Sequence, residues 1–123
     1  MPEQTLRGCR ILVVEDEFLL AEELQQELST AGAIVVGMAS TIQDALALID
    51  TEEKLDCAIL DVKLGGKPVF TVADHLLDRG IPFVLTTGYD GSGIPARYEA
   101  ALRCDKPLNM AALIRSITQA IKG

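Results

Sequence analysis

Three short runs of the chain are almost wholly apolar: Ile11-Leu12-Val13-Val14, Ala58-Ile59-Leu60 and Phe83-Val84-Leu85, with a weaker one ahead of Lys106-Pro107. Runs of this length, bounded by turn residues and helical patterns, read as parallel strands buried on both faces. The first strand covers about Arg10 to Val14. After it, Phe18 to Ala31 places Leu20, Leu24, Leu28 and Ala31 at spacings of four, four and three, with Glu22, Glu23, Gln25, Gln26 and Glu27 between them. That is the period of an amphipathic helix. Gly32 stops it, and Ala33 to Ala39 reads as a second strand. Thr41 is suited to cap a helix carrying Ile42, Ala45, Leu46 and Ile49, which runs out near Asp50. A third strand spans about Asp56 to Leu60. Lys63 to Lys67 reads as a loop around Gly65-Gly66, and Val69, Val72, Ala73, Leu76 and Leu77 mark a third helix that ends at Gly80. Pro82 to Thr86 is a fourth strand. Asn109 caps a last helix with Met110, Leu113, Ile114, Ile117 and Ile121 inward, and Leu108 is placed to staple onto Leu113. Strict alternation of strand and helix predicts an α/β fold, doubly wound, with a five-stranded parallel sheet and helices on both faces.

One stretch breaks this rhythm. Between Thr87 and Lys106 a helix and a strand are due, yet Gly88, Asp90, Gly91, Ser92, Gly93 and Pro95 fill the first half and leave only Ala96 to Ala101 as helix material. The fourth helix is therefore expected to be short, shifted or mobile.

Length and composition narrow the class. With 123 residues, 49% of them hydrophobic, the chain suits one domain, residues 1–123, with its own core. The apolar runs are far too short for a membrane span, and Met1-Pro2-Glu3-Gln4-Thr5 lacks a basic then apolar leader pattern, so the expected location is cytoplasmic. Cys9, Cys57 and Cys104 are odd in number and lack metal-ligand spacing. They read as buried, reduced thiols with no chemistry, two of them within strand-like runs. A formal charge of −7 argues against a nucleic-acid partner, which would require clustered Lys and Arg. A protein partner or a cation fits better.

The chemistry lies where the strands end. In open parallel sheets the carboxyl ends of the strands line one edge, and ligand sites form there. The first apolar run ends in Glu15-Asp16, the third strand in Asp61, the fourth in Thr86-Thr87, and the weak fifth in Lys106. Three carboxylates, a hydroxyl and an ammonium converge. Carboxylates that close repel one another, so the cluster makes sense with a divalent cation among them, in a Mg²⁺-dependent phosphoryl site.

These residues, in this order, resemble the receiver domain of bacterial response regulators, the phosphorylated partner in two-component signalling. The resemblance runs from Cys9 to Lys122. It implies a flavodoxin-like sheet of order 2-1-3-4-5. It also implies that Asp61 is the phosphoacceptor and that Thr87 and Lys106 assist it. Mg²⁺ would be held by Asp16, by Glu15 through water, by Asp61 and by the backbone carbonyl of Lys63. A Lys106-Pro107 bond would usually be cis in such domains. The implied function is a stand-alone response regulator that accepts a phosphoryl group on Asp61 from a histidine kinase or histidine phosphotransfer protein. It would then signal through a changed protein-binding surface or relay the phosphate. Such a domain is not an enzyme on other substrates, although it assists its own phosphorylation and dephosphorylation.

Some positions depart from the family pattern. Arg103 stands where receivers commonly carry Tyr or Phe three residues before the lysine. Leu85-Thr86-Thr87-Gly88-Tyr89 is similar to a receiver subgroup with Phe-Ala-Thr-Gly-Tyr in that place, in which the fourth helix tends to be reduced. Gly65 and Gly66 replace the Pro and its flanking residues common after the phosphoacceptor.

Blander readings stand beside these. Glu15-Asp16 also suits a helix N-terminus, Asp61 a strand end, and Lys106 a surface ion pair. His75, beside Asp74 and Asp78, reads as a solvated residue and not a phosphodonor. Arg103 either meets a partner or keeps an edge strand soluble. Phe18 and Leu19 exceed what one helical stripe needs, and are either ordinary packing or a partner-facing patch. At the level of function, the alternative is a pseudo-receiver, a protein-binding module that works without phosphorylation. A phosphoaspartyl hydrolase on a similar sheet fits less well, because Lys63 occupies the position where such enzymes carry a second aspartate.

Overall fold

The computed structural model describes residues 5–88, 94–98 and 101–122. The apolar runs become strands because alternate side chains enter two separate cores. In β1 (Arg10–Val14), Ile11 and Val13 face one layer while Leu12 and Val14 face the other. β3 (Cys57–Asp61) and β6 (Phe83–Thr87) follow the same rule and are buried along their whole length. The first layer contains Leu24 and Leu28 of α1 (Phe18–Thr30) and Leu113 and Ile117 of α4 (Met110–Lys122). The second contains Ala45 and Ile49 of α2 (Ile42–Thr51) and Val72, Ala73 and Leu76 of α3 (Phe70–Asp78). With β2 (Ile34–Ala39) and β7 (Leu102–Asp105) at its edges, the main sheet is five-stranded, parallel throughout, and ordered β2-β1-β3-β6-β7. Helices cover both faces. This is the doubly wound, flavodoxin-like arrangement expected, with strand one in second place and the order reversing beside it.

Local signals held where they were strong. The Thr41 side chain accepts from the Asp44 amide at 3.1 Å, and the Asn109 side chain from the Ala112 amide at 3.0 Å, so both act as N-caps. Gly32 and Gly80 follow their helices at φ of 94° and 68°, conformations that other residues adopt only under strain.

Two regions differ from expectation. Lys63 to Lys67 is no simple loop but a small antiparallel ribbon, β4 (Lys63–Leu64) with β5 (Lys67–Pro68). Gly65 and Gly66 both take positive φ, 59° and 79°, which is what a two-residue hairpin turn requires. Between β6 and β7, the described residues contain one 3-10 turn, Ala96–Tyr98, and no α-helix. The expected shortening of the fourth helix is met there. The readings of Tyr89, Asp90, Gly91, Ser92 and Gly93 fall outside the described residues. Among the described residues, no helix is long and apolar enough to cross a membrane.

Candidate functional site

β1 and β3 are register partners through Val14 and Leu60, so Glu15 and Asp61 emerge together at the carboxyl edge. Ligand-capable atoms of Glu15, Asp16 and Asp61 lie within 4.8 Å of one another. Lys106 reaches in from the end of β7, its Nζ 3.0 Å from Asp61 Oδ2 and 3.1 Å from Glu15 Oε1. The Lys106-Pro107 peptide bond is cis.

Three of the remaining carboxylate oxygens are held by main-chain amides. Glu15 Oε2 accepts from the Glu17 amide at 3.0 Å, and Asp61 Oδ1 from the Lys63 amide at 3.2 Å. Asp16 Oδ2 accepts from the Gly65 amide at 2.8 Å, which ties the acidic pair to the glycine turn of the ribbon. Of the pair, only Glu15 bonds an amide at the start of α1, and the N-cap residue Glu17 makes no side-chain cap. Helix capping therefore does not account for Glu15-Asp16. Lys63 meets the cluster through its amide, beside the peptide whose carbonyl the sequence singled out.

The electrostatics follow from burial. Glu15 is 4% exposed, and loss of water pushes its carboxyl up to about 7. The Glu17 amide and Lys106 pull it back, while the Asp61 charge adds to the rise. Glu15 Oε1 is near enough to Lys106 for an ion pair, yet no donor is aligned on it, so it is a buried, unsatisfied acceptor. Burial draws the Lys106 ammonium down, but its hydrogen bond to Asp61 and the nearby charges of Asp61 and Glu15 outweigh that and leave it raised. Two buried carboxylates thus share one cation beside the exposed carboxylate of Asp16, with one buried oxygen unserved. An oxygen-rich pocket of this kind suits a hard divalent ion, and Glu15, Asp16 and Asp61 are the side chains that would hold one such as Mg²⁺.

Thr87 closes β6 and is 2% exposed. Its hydroxyl does not point to Asp61. It donates to Asp105 Oδ1 at 2.9 Å, and its carbonyl accepts from the Lys106 amide at 2.7 Å. Asp105 was missed in the sequence, where it reads as one more acidic residue before a lysine.

Tyr98 was missed as well. It is 1% exposed, stacks on Phe70 at 5.2 Å and meets Phe83 edge-on at 6.3 Å. Its hydroxyl lies within hydrogen-bond reach of the Phe70 carbonyl and of Asp74, and Arg97 bonds both Asp74 oxygens while lying over the Tyr98 ring. A tyrosine among the few residues of this Gly- and Pro-rich stretch that can be placed on a helix was the available signal. Arg103, in the place of the usual aromatic, is exposed on β7.

Other candidates resolve as follows. His75 is not simply solvated: its Nε2 lies 2.7 Å from Asp50 Oδ1 and joins α3 to α2. Cys57 is buried, and Cys9 and Cys104 are partly buried; all three are free. Phe18 and Leu19 are 70% and 76% exposed, so ordinary packing does not explain them. Leu19 lines a cleft of about 550 Å³ with Leu20, Glu23, Lys106, Pro107 and Leu108, beside the acidic edge.

The fold and site together are those of a doubly wound α/β domain with a carboxylate cluster, a lysine and a hydroxyl at the carboxyl edge of its sheet. The family model described as the response regulator receiver domain matches residues 11–118, and the chain belongs to that family. It is 29% identical over 116 residues to the transcriptional regulatory protein PdtaR of Mycobacterium tuberculosis, an alignment covering 91% of this chain and 56% of PdtaR. It is 28% identical over 117 residues to the phyllosphere-induced regulator PhyR of Methylorubrum extorquens, covering 93% of this chain and 44% of PhyR. The chain thus spans about half the length of these relatives. Among solved structures, SdrG from Sphingomonas melonis Fr1 superposes with a TM-score of 0.82 at 34% identity, covering 94% of this chain and 98% of SdrG. PhyR from Brucella abortus superposes with a TM-score of 0.80 at 27% identity, covering 97% and 51%.

Proposed function

We propose that Asp61 accepts a phosphoryl group from the phosphohistidine of a histidine kinase or histidine phosphotransfer protein, and that the domain then signals through an altered protein-binding surface or passes the group on. The observation that supports this most directly is the setting of Asp61, 7% exposed at a strand end, with one oxygen on the Lys106 ammonium and the other on a main-chain amide. An Asp61 oxygen attacks phosphorus, the P–N bond breaks, and its electron pair stays on the leaving imidazole nitrogen, so an acyl phosphate forms. Bound Mg²⁺ would offset the negative charge that the carboxylates and the incoming group share. Lys106 then exchanges part of its contact with Asp61 for a phosphoryl oxygen, a charge-assisted bond. Thr87 turns its hydroxyl to another phosphoryl oxygen. On this reading the protein is a phosphoacceptor that assists its own phosphorylation and dephosphorylation, and not an enzyme on other substrates. The exposed Phe18 and Leu19 and the cleft beside Pro107 lie where a phosphodonor protein would have to approach. A lysine held between two buried carboxylates supports this reading over a phosphorylation-independent module.

Incubation with acetyl phosphate and Mg²⁺, followed by intact-mass measurement, tests this. One phosphoryl adduct on the native chain and none on Asp61→Asn is the expected result. An unchanged mass for the native chain would leave the pseudo-receiver reading in its place.

A further inference from the structure

We infer that Asp105 is a positioning residue for the phosphoryl reaction: it holds the Thr87 hydroxyl in its resting direction, and so sets how readily the domain takes up a phosphoryl group. The inference rests on the proposed role of Asp61 and deepens it. Thr87 and Asp105 are register partners across β6 and β7, so their side chains leave the sheet edge next to each other. The hydroxyl proton of Thr87 lies on Asp105 Oδ1, 2.9 Å away. A threonine hydroxyl has one proton to donate. It cannot serve Asp105 and a phosphoryl oxygen on Asp61 together, so the two states are exclusive.

The surroundings show why Asp105 matters here. Lys106 turns away from it towards Glu15 and Asp61, and among the described residues Asp105 has no ion-pair partner. The Thr87 hydroxyl is thus its bonded neighbour, a nearly buried donor on an exposed acceptor. Solvent access on the Asp105 side keeps the bond breakable, so it biases the hydroxyl and does not lock it. The Thr87 main chain meanwhile stays fixed by the Lys106 amide, which leaves rotation of the side chain as the motion required. If the resting bond is worth one charge-assisted hydrogen bond at a half-exposed site, the inward conformer is held down by about tenfold, and apparent affinity for the phosphoryl group falls in proportion.

Titration with BeF₃⁻ at saturating Mg²⁺, followed by NMR, decides the matter in the native chain, Asp105→Ala and Asp105→Asn, each also in a Thr87→Val background. Asp105→Ala should bind about tenfold more tightly, because the resting acceptor is gone. Asp105→Asn keeps an acceptor oxygen without the charge, and should restore most of the native affinity. In the Thr87→Val background the Asp105→Ala effect should vanish. If it persists there, Asp105 acts by repelling the incoming anion and the inference is wrong. Equal affinity of the native chain and Asp105→Ala overturns it alone, leaving Asp61 as acceptor. Failure of the native chain to bind BeF₃⁻ overturns both.

Discussion

The two halves of the sheet edge are built differently. At the ends of β1 and β3, every acidic group that faces the site is pinned: Glu15 by the Glu17 amide, Asp16 by the Gly65 amide, Asp61 by the Lys63 amide and by Lys106. Between β6 and β7 the described residues form a single 3-10 turn, held to the rest of the fold by the buried Tyr98, by the partly buried Ile94 and Ala101 and by the Arg97–Asp74 ion pair. Preorganised groups suit the half where charge has to be met without rearrangement. On the proposed function, a segment with few anchors would suit the half that reports the event, because few interactions oppose its movement. The difference teaches how, on the proposed function, chemistry and output would be separated by how densely each region is tied down.

The largest effect is expected where the pinned half loses its acceptor. Asp61→Asn should abolish the phosphoryl adduct while leaving the fold intact or slightly more stable, since a crowded negative charge is removed. Thermal unfolding beside intact-mass measurement checks both parts, and a destabilised variant would mean that the charge supports the fold.

The anchored half should break at Tyr98. Truncation to Ala removes a buried ring packed on Phe70 and Phe83, at a cost of about 3 to 5 kcal/mol. Tyr98→Phe removes only the hydroxyl, at about 1 kcal/mol. Urea unfolding of both variants measures this. Equal, small losses would show that the ring is not the anchor.

Millimolar Mg²⁺ should raise the thermal midpoint by a few degrees, because an ion that binds the native cluster stabilises it by mass action. Asp16→Ala should cancel the rise. An undiminished shift in that variant would place the ion elsewhere.

Hydrogen exchange sharpens the comparison further. On addition of BeF₃⁻ and Mg²⁺, the amides of Ile94 to Tyr98 and of Leu102 and Arg103 should change more than those of β1 and β3. With Arg103 exposed in place of an aromatic, the change would reach a partner by shifting this segment and not by a ring entering a pocket. Uniform change across the sheet would contradict the division into two halves.

The smallest effect concerns Cys57. Burial pushes its thiol up to about 12, so at pH 8 it should resist alkylation in the native state and react only once unfolded. Mass measurement after iodoacetamide treatment reads this directly, and rapid labelling of Cys57 would mean that β3 opens easily.

Much of the fold and the acidic centre was legible in the residues themselves. Strand ends are marked by where an apolar run stops, and parallel strands bring those ends to one edge. Glu15, Asp16, Asp61 and Lys106 could therefore be gathered without coordinates. The order of the strands came from family resemblance. Helix caps at Thr41 and Asn109 and the stop at Gly32 are local interactions, within a few residues, and local pattern identifies those. What pattern could not supply were pairings set by the packing of distant elements. The Gly65 amide meets Asp16 across 49 positions, His75 meets Asp50 across 25, and Thr87 meets Asp105 across 18. Each depends on strand register or on which helices share a face, and in the sequence each residue had several equally plausible partners. The same holds for Tyr98: composition marked its segment as lacking a helix, but only the shape of the space beside Phe70 and Phe83 determined that one ring would hold that segment to the core.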